Sequence, residues 1–505
     1  MVVTSHPDAV AAGLRVLDAG GSAADAAIAA AAVLCVVDPR STGIGGDLFA
    51  LYWEPGATAP TGIQGAGWSA SGLTPEYLAG RGILSMPVDG ALTVTVPGSV
   101  SGWTKLHERF GKLNLGRVLA PAISIAHAGY IVGEVIEREW RTAREKLRRT
   151  ADGALFLRDG ETPEFGSLMR NPALGDSLEK IGSDNGHDFY QGTTALRIAE
   201  TVAAEGGLLT VEDIRDWPGA QWVTPISTKY RGHSVFQMPP PGQGLVVLEA
   251  LAILDRLAYD PVRADVFGAA AVGTAVVDGA REIADPAWRE VKAESLMLDP
   301  GYLDETSASI GAGTASLSNA RMSTADTVYV TVVDSQGRAC SLIQSVYQSF
   351  GSGVVVGDRG FALQNRGANF TLENGHVNQV GPHKLPYHTI IPSLVLNRGE
   401  LFSSLGVVGG FMQPQGQVQI LQKLIDQHAS AGDAVADPRW RWVSPGKVAV
   451  EHGFNAARRA RFQEFGYFVD QLATEDAGGA QVIVQRDGHL EGGSDWRKDG
   501  LVGVL

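Results

Sequence analysis

Cysteine is scarce in this 505-residue sequence, which has two. Cys35 and Cys340 both sit among apolar neighbours, so two buried free thiols are expected rather than a disulfide framework. Two cysteines without paired spacing also give no zinc site. Basic charge is in deficit, with 41 Lys+Arg against 55 Asp+Glu and a formal net charge of −14. Nucleic-acid binding needs basic patches, and none stands out, so no polyanion partner is expected. A solvated acidic surface accounts for the balance. The apolar run Ala23 to Val37 is alanine-rich, contains Asp25 and falls short of the ~20 residues of a membrane span. It reads as a buried core helix starting near Ser22. Met1 to His6 lacks a basic leader or cleavage signal, so a cytoplasmic location is expected and no membrane partner. Gly43-Ile44-Gly45-Gly46 has the wrong spacing for a dinucleotide fingerprint and reads as a tight turn against a sheet. No metal or organic cofactor is expected.

What is present is a long chain, enough for roughly three domains at ~150 residues each. Glycine turns alternate with apolar helices and strands. Lys112 to Tyr130 is expected to be helical, with Leu115, Val118, Leu119, Ile123 and Ala126 on one side. Glu134 to Arg149 reads as a charged amphipathic helix. Gly206-Gly207 reads as a helix end, and Thr210 opens a short helix with Glu212 and Asp213 in its first turn. Tyr230 to Met238 reads as one strand, stopped by Pro239-Pro240-Pro241. Helices are expected from Gly244 onward and over Thr274 to Leu298, broken at Pro286. Gly360 to Leu363 and Ile390 to Leu396 read as strands. His127 has no second ligand at i±4 and is read as a plain core or surface histidine. Trp440 and Trp442 are read as core.

The stretch from Ser323 to Val354 carries the chemistry. Asp304 to Asp326 is rich in Ser, Ala, Gly and Thr and reads as a linker. Thr327 to Val333 is β-branched or aromatic throughout, the composition of a strand. A turn at Asp334 to Gly337 returns the chain into a second strand, Ala339 to Ser345. A hydroxyl residue thus opens a hairpin directly after a linker. A cut before Thr327 would place that hydroxyl beside its own α-amine, a base of unperturbed pKa about 7.7–8. On these residues alone, an ordinary threonine opening a hairpin remains the simpler reading.

Further motifs stand in order along the chain. They are H-P-D-A-V-A-A-G-L-R-V-L-D-A-G-G-S-A-A-D-A-A from His6, D-P-R-S-T-G-I-G-G-D-L-F from Asp38, V-T-V-P-G-S-V-S-G-W from Val94, G-G-L-L-T-V-E-D from Gly206, M-P-P-P-G-Q-G from Met238, Q-N-R-G from Gln364 and V-G-G-F from Val408. With D-T-V-Y-V-T-V-V-D from Asp326, this set resembles the γ-glutamyltransferase family of N-terminal-nucleophile hydrolases over nearly the whole chain. The resemblance implies a four-layer αββα sandwich and a proenzyme that cuts itself between Asp326 and Thr327. Residues 1–326 would form a large subunit and 327–505 a small one, folded as one composite domain. The heterodimer could assemble further with copies of itself.

The resemblance also implies residue roles. Thr327 matches the nucleophile, Ser345 the hydroxyl that contacts the nucleophile's amine, and Gly409-Gly410 the oxyanion pair. Tyr347 stands where family members carry an asparagine. Asn369 replaces an aspartate for the substrate ammonium, and His388-Thr389 replaces a serine pair for its carboxylate. The stretch Gly65 to Ser69, with Trp68, lacks the arginine that holds that carboxylate. Lost ion-pair partners of this kind cost several kcal/mol. The chemistry is therefore expected to survive while γ-glutamyl specificity is in doubt. The Q-N-R-G and P-x-H-T variants also resemble a branch that includes oxamate amidohydrolase, with Arg366 suited to grip a carboxylate through its planar fork. The expected partner is a small amide bearing a carboxylate. A non-catalytic binding protein that never matures is the alternative from another class. Asn369-Phe370-Thr371 fits a glycosylation sequon, which carries no weight without export.

Overall fold

The computed structural model describes residues 1–313 and 326–505. Among these, seven strands form one antiparallel sheet in the order Leu501–Gly503, Val2–Thr4, Asp326–Val333, Ala339–Tyr347, Asp47–Trp53, Thr61–Gly65 and Gln221–Val223. Six form a second antiparallel sheet in the order His489–Ser494, Gly479–Arg486, Glu400–Val408, Ser393–Asn397, His233–Gln237 and Ile226–Tyr230. In both sheets, strands from before residue 314 lie beside strands from after residue 325.

The two sheets stack face to face. Phe49, Leu51, Trp53, Phe236, Tyr329, Ile343, Leu394 and Ile483 form the apolar layer between them. Strands alternate their side chains, so the opposite faces need cover of their own. The first sheet buries its outer face under Pro7–Asp18, Ala23–Val37, Ser99–Phe110 and Leu115–Ala128. The second is covered by Gly244–Arg256, Ala264–Glu282 and Met412–Leu421. The result is helix, sheet, sheet, helix: the four-layer αββα sandwich. Every residue of Ala23–Val37 is buried, and Ser22 and Asp25 close its start as a capping box. Its alanines let the helix lie close against the strand that begins at Asp326.

Most expected elements are present with shifted ends. Gly244–Arg256 is helical, Thr210 caps Val211–Arg215, and Trp440 and Trp442 are fully buried. Both cysteines are buried and free. Three expectations need correction. Tyr230 to Met238 is two strands, Ile226–Tyr230 and His233–Gln237, because Arg231 and Gly232 both take positive φ and reverse the chain. Thr274 to Leu298 starts too late and runs too far: the long helix is Ala264–Glu282, followed by short turns at Pro286–Trp288 and Ala293–Met297. The linker is also shorter than expected. Asp304 to Ala312 belongs to the helix Pro300–Ala312, capped by Asp299, and buries Leu303, Ser307 and Ile310 at helical spacing. The rest of that linker, 314–325, lies outside the described residues. No helix among the described residues is long and apolar enough to cross a membrane.

Candidate active site

Asp326 opens the strand Asp326–Val333, which pairs with Ala339–Tyr347. Pairing is regular as far as Gln344↔Val328, then shifts before Tyr347↔Asp326. At this irregularity Tyr347 adopts φ 77°, a left-handed conformation that is costly for a residue with a side chain. Ser345 Oγ and Thr327 Oγ1 come to 3.3 Å of each other, both buried. Both hydroxyls also donate to one acceptor, the carbonyl oxygen of Asp326, from 2.5 Å for Ser345 and 2.7 Å for Thr327. Tyr347 N donates to Ser345 Oγ at 2.7 Å and fixes its rotamer. The carbonyl of the Asp326–Thr327 peptide is thus held by two hydroxyl donors.

The second sheet contributes the other wall. Glu400–Val408 ends in Gly409 and Gly410, at φ 114° and 59°, directly before the helix Met412–Leu421. Positive φ at two successive residues is the reason both are glycine. Gln413, in the first turn of that helix, reaches Thr327 Oγ1 at 3.4 Å, and its Oε1 accepts from Ile391 N at 3.2 Å. Gln243 Nε2 donates to Thr389 O at 2.7 Å and to Gly410 O at 3.0 Å, which ties the glycine turn to the segment carrying Thr389.

Behind Tyr347 lies a charged, fully buried cluster. The Arg366 guanidinium stacks on the Tyr347 ring at 4.6 Å and donates to Thr389 Oγ1 at 2.9 Å. Its Nε stands 3.7 Å from Asp47 Oδ2, and His388 Nε2 stands 3.3 Å from the same oxygen. Asp47 is the cross-strand partner of Ser345. Burial pushes Asp47 up to about 7 against the pull of Arg366. Burial, then the Arg366 charge, holds His388 well below its ordinary value, so it is neutral. Arg366 Nε and Nη2, Asp47 Oδ2 and both His388 nitrogens have no hydrogen-bond partner. Tyr347 Oη donates to Asn369 Oδ1 at 2.6 Å, and Asn369 Nδ2 donates to Tyr387 O at 2.9 Å.

A cleft of about 590 Å³ opens beside the Asp326–Thr327 peptide, lined by Arg40, Arg138, Lys146, Asp326, Gln348 and Gly409 among others. Arg40 forms an ion pair with the Asp326 side chain.

The fold therefore brings together Thr327, Ser345, Tyr347, Asn369, Arg366, His388, Thr389 and the Gly409-Gly410 turn, all singled out from sequence. Trp68 lies apart from this contact set, stacked on His383 at 4.3 Å and donating to Asp213 O at 2.9 Å. Sequence reasoning missed Arg40, Asp47, Gln243 and Gln413. Each lies in or beside a motif of which only the glycines or prolines were read for structure: D-P-R-S-T-G-I-G-G-D, P-P-P-G-Q-G and G-G-F-M-Q. His127, read as a plain histidine, has Asp176 and Glu179 at 3.6 and 3.7 Å, all three exposed, as in a surface ion-pair cluster.

The sequence model of the family Gamma-glutamyltranspeptidase matches residues 9–505. The chain is 34% identical to a glutathione hydrolase-like proenzyme, YwrD, of Bacillus subtilis, covering 100% of this chain and 98% of that protein. It is 36% identical to an oxamate amidohydrolase proenzyme of Klebsiella pneumoniae, covering 99% and 97%. Among solved structures, a cephalosporin acylase from Bacillus halodurans superposes with a TM-score of 0.92 at 36% identity, covering 99% of this chain and 95% of that one. With a family model and relatives that match along its length, the chain belongs to the gamma-glutamyltranspeptidase family of hydrolases and acyltransferases acting on amide bonds.

Proposed function

We propose that Thr327 serves twice, first to cut its own chain and then to cleave a small amide that carries a carboxylate. The observation that carries this reading is the pair of hydroxyls, Thr327 and Ser345, on the carbonyl oxygen of Asp326. In maturation, Thr327 Oγ attacks the Asp326 carbonyl carbon. A C–O ester forms, the C–N bond breaks and the hydroxyl proton passes to the nitrogen. Water then adds its OH to that carbon, leaving the Asp326 α-carboxylate, and returns a proton to Oγ. Residues 1–326 and 327–505 become two subunits. In turnover the Thr327 amine takes the Oγ proton, Oγ attacks the substrate amide carbon to form the ester, and the C–N bond breaks as that proton passes to the leaving nitrogen. The Gly409 and Gly410 N–H groups steady the oxyanion, and water or an acceptor amine resolves the acyl-enzyme. Arg366, fully buried behind the Tyr347 ring and paired with Asp47, would anchor a carboxylate set close to the scissile carbonyl only once Tyr347 turns aside.

The missing charges at Trp68 and Asn369 speak against γ-glutamyl donors, and the similarity to oxamate amidohydrolase favours oxamate as the first compound to try. A binding protein that never matures would have no use for Thr327, Ser345 and the glycine pair together.

The purified protein should show two bands on a denaturing gel, and N-terminal sequencing of the smaller should begin at Thr327. Thr327→Ala should remain one chain without amidase activity, because one oxygen serves both reactions. A small band with any other start, or an active uncut Thr327→Ala protein, refutes the assignment. Oxamate and γ-glutamyl-p-nitroanilide assayed side by side on the mature protein decide between the two donor classes.

A further inference from the structure

Three carboxylates converge on Arg40, which is buried at the wall of the cleft. Nη1 pairs with Asp326, Nη2 pairs with Glu139, and Nε stands 3.9 Å from Asp38 Oδ1. Although burial opposes its charge, Asp326, then Glu139 and Asp38, keep Arg40 firmly protonated. Glu139 is shared with Lys498, whose Nζ lies 2.7 Å from its other oxygen. Burial pushes Asp38 up to about 6, which leaves it mostly ionised at neutrality. Of the three partners, Asp326 is the one whose peptide bond is to be cut.

Cleavage must change this cluster. The Asp326 carbonyl carbon occupies the place at Thr327 Oγ that every later acyl carbon has to take, because the same oxygen forms both esters. Turnover therefore requires Asp326 to leave, and its side-chain carboxylate leaves Arg40 with it. Glu139 and Asp38 stay on the guanidinium and keep it charged, while Nη1 is left without its carboxylate acceptor and is free to take a new one entering by the same cleft. Asp326 also sets the spacing. Its carboxylate stands two carbons, Cα and Cβ, beyond the carbonyl that Thr327 attacks.

We propose that Arg40 is an anion subsite of the mature enzyme, masked by Asp326 in the precursor and opened by cleavage. Its ligand is the distal carboxylate of a succinyl-type amide, with two carbons between scissile carbonyl and carboxylate. The proposal rests on Thr327 being the nucleophile of both steps.

The test is a calorimetric titration with succinate and with butyrate, its analogue lacking the second carboxylate. Both are titrated into the mature wild type and into the uncut Thr327→Ala protein. Succinate should bind the mature protein at least tenfold more tightly than butyrate. The uncut protein should show no such preference, since Asp326 still covers Arg40. Mature Arg40→Gln should lose the preference and Arg40→Lys should keep part of it. If Arg40→Gln does not mature, the comparison of cut and uncut protein decides by itself. Equal binding of the two anions to the mature protein, or the same preference for succinate in the uncut one, overturns the proposal. A wild type that stays one chain, or a Thr327→Ala protein that is cut, refutes the nucleophile assignment and this proposal with it. A cut wild type indifferent to succinate refutes the Arg40 subsite alone.

Discussion

Arg366 keeps a full charge inside the protein because Asp47 lies 3.7 Å away and the Tyr347 ring covers its face. Burial holds Arg366 down to about 10 and raises Asp47 to about 7. A carboxyl group whose folded pKa is raised withdraws stability as pH climbs from its unfolded value, about 3.9, toward the folded one. Without Arg366, Asp47 loses the charge that pulls it down, and its folded pKa rises further. Arg366→Ala should therefore lose about 3–5 kcal/mol of stability, as broken buried pairs do. The deficit should widen as pH rises through about 7. Adding Asp47→Asn should recover part of the loss and flatten its pH dependence, readable from denaturant midpoints across pH. If the deficit is the same at every pH and unaltered by Asp47→Asn, the two side chains are not coupled. Arg366 was legible in the sequence because it stands within Q-N-R-G, between an expected strand and a glycine turn. Asp47 was not, because strand order brings the two together from distant parts of the chain, and residue patterns carry no strand order.

Among the elements, the turn Gly43 to Gly46 does more than its glycines suggest. A Cβ on Gly46 would meet Ser345 O at 2.4 Å, and one on Gly45 would meet Ala362 O at 2.3 Å. Gly46 O also accepts from Gly98 N and Ser99 N, both at 2.9 Å. The turn is therefore wedged against the strand that carries Ser345. Gly46→Ala should shift that strand, move Ser345 off the Asp326 carbonyl and slow self-cleavage at least tenfold. Gly56→Ala is the control: it lies at φ 85° with open space around it, so it bears only backbone strain of about 1–2 kcal/mol. A gel time course in which both variants mature like wild type would remove the turn from the mechanism. The hairpin itself was readable, since the β-branched and aromatic run Thr327 to Val333 leads into an Asp-Ser-Gln-Gly turn. The helix Pro300–Ala312 was not, because its Ser, Ala and Gly mask the spacing of Leu303, Ser307 and Ile310. The Asp299-Pro300 start was the available signal.

For the whole molecule, the strand order predicts how the cut protein behaves. Val2–Thr4 lies between Leu501–Gly503 and Asp326–Val333, so an N-terminal strand is held on both sides by the C-terminal piece. The Met1 amine donates to Val333 O at 2.8 Å. In the second sheet, His233–Gln237 pairs with Ser393–Asn397, again across the proposed cut. The apolar layer between the sheets draws Phe49, Trp53 and Phe236 from one piece and Tyr329, Ile343, Leu394 and Ile483 from the other. Separating the pieces would expose this layer and leave strand edges unpaired, at a cost that scales with ~25 cal/mol for each Å² of apolar surface uncovered. Breaking one peptide bond removes none of these contacts. The mature protein should elute as one species containing both pieces and unfold in a single transition by fluorescence and by circular dichroism alike. Neither piece expressed alone should be soluble and folded, since each would present half of both sheets to water. Separate elution in native buffer, or two resolved transitions, would mean that the pieces fold independently and that the interleaved sheets are not what holds the cut chain together.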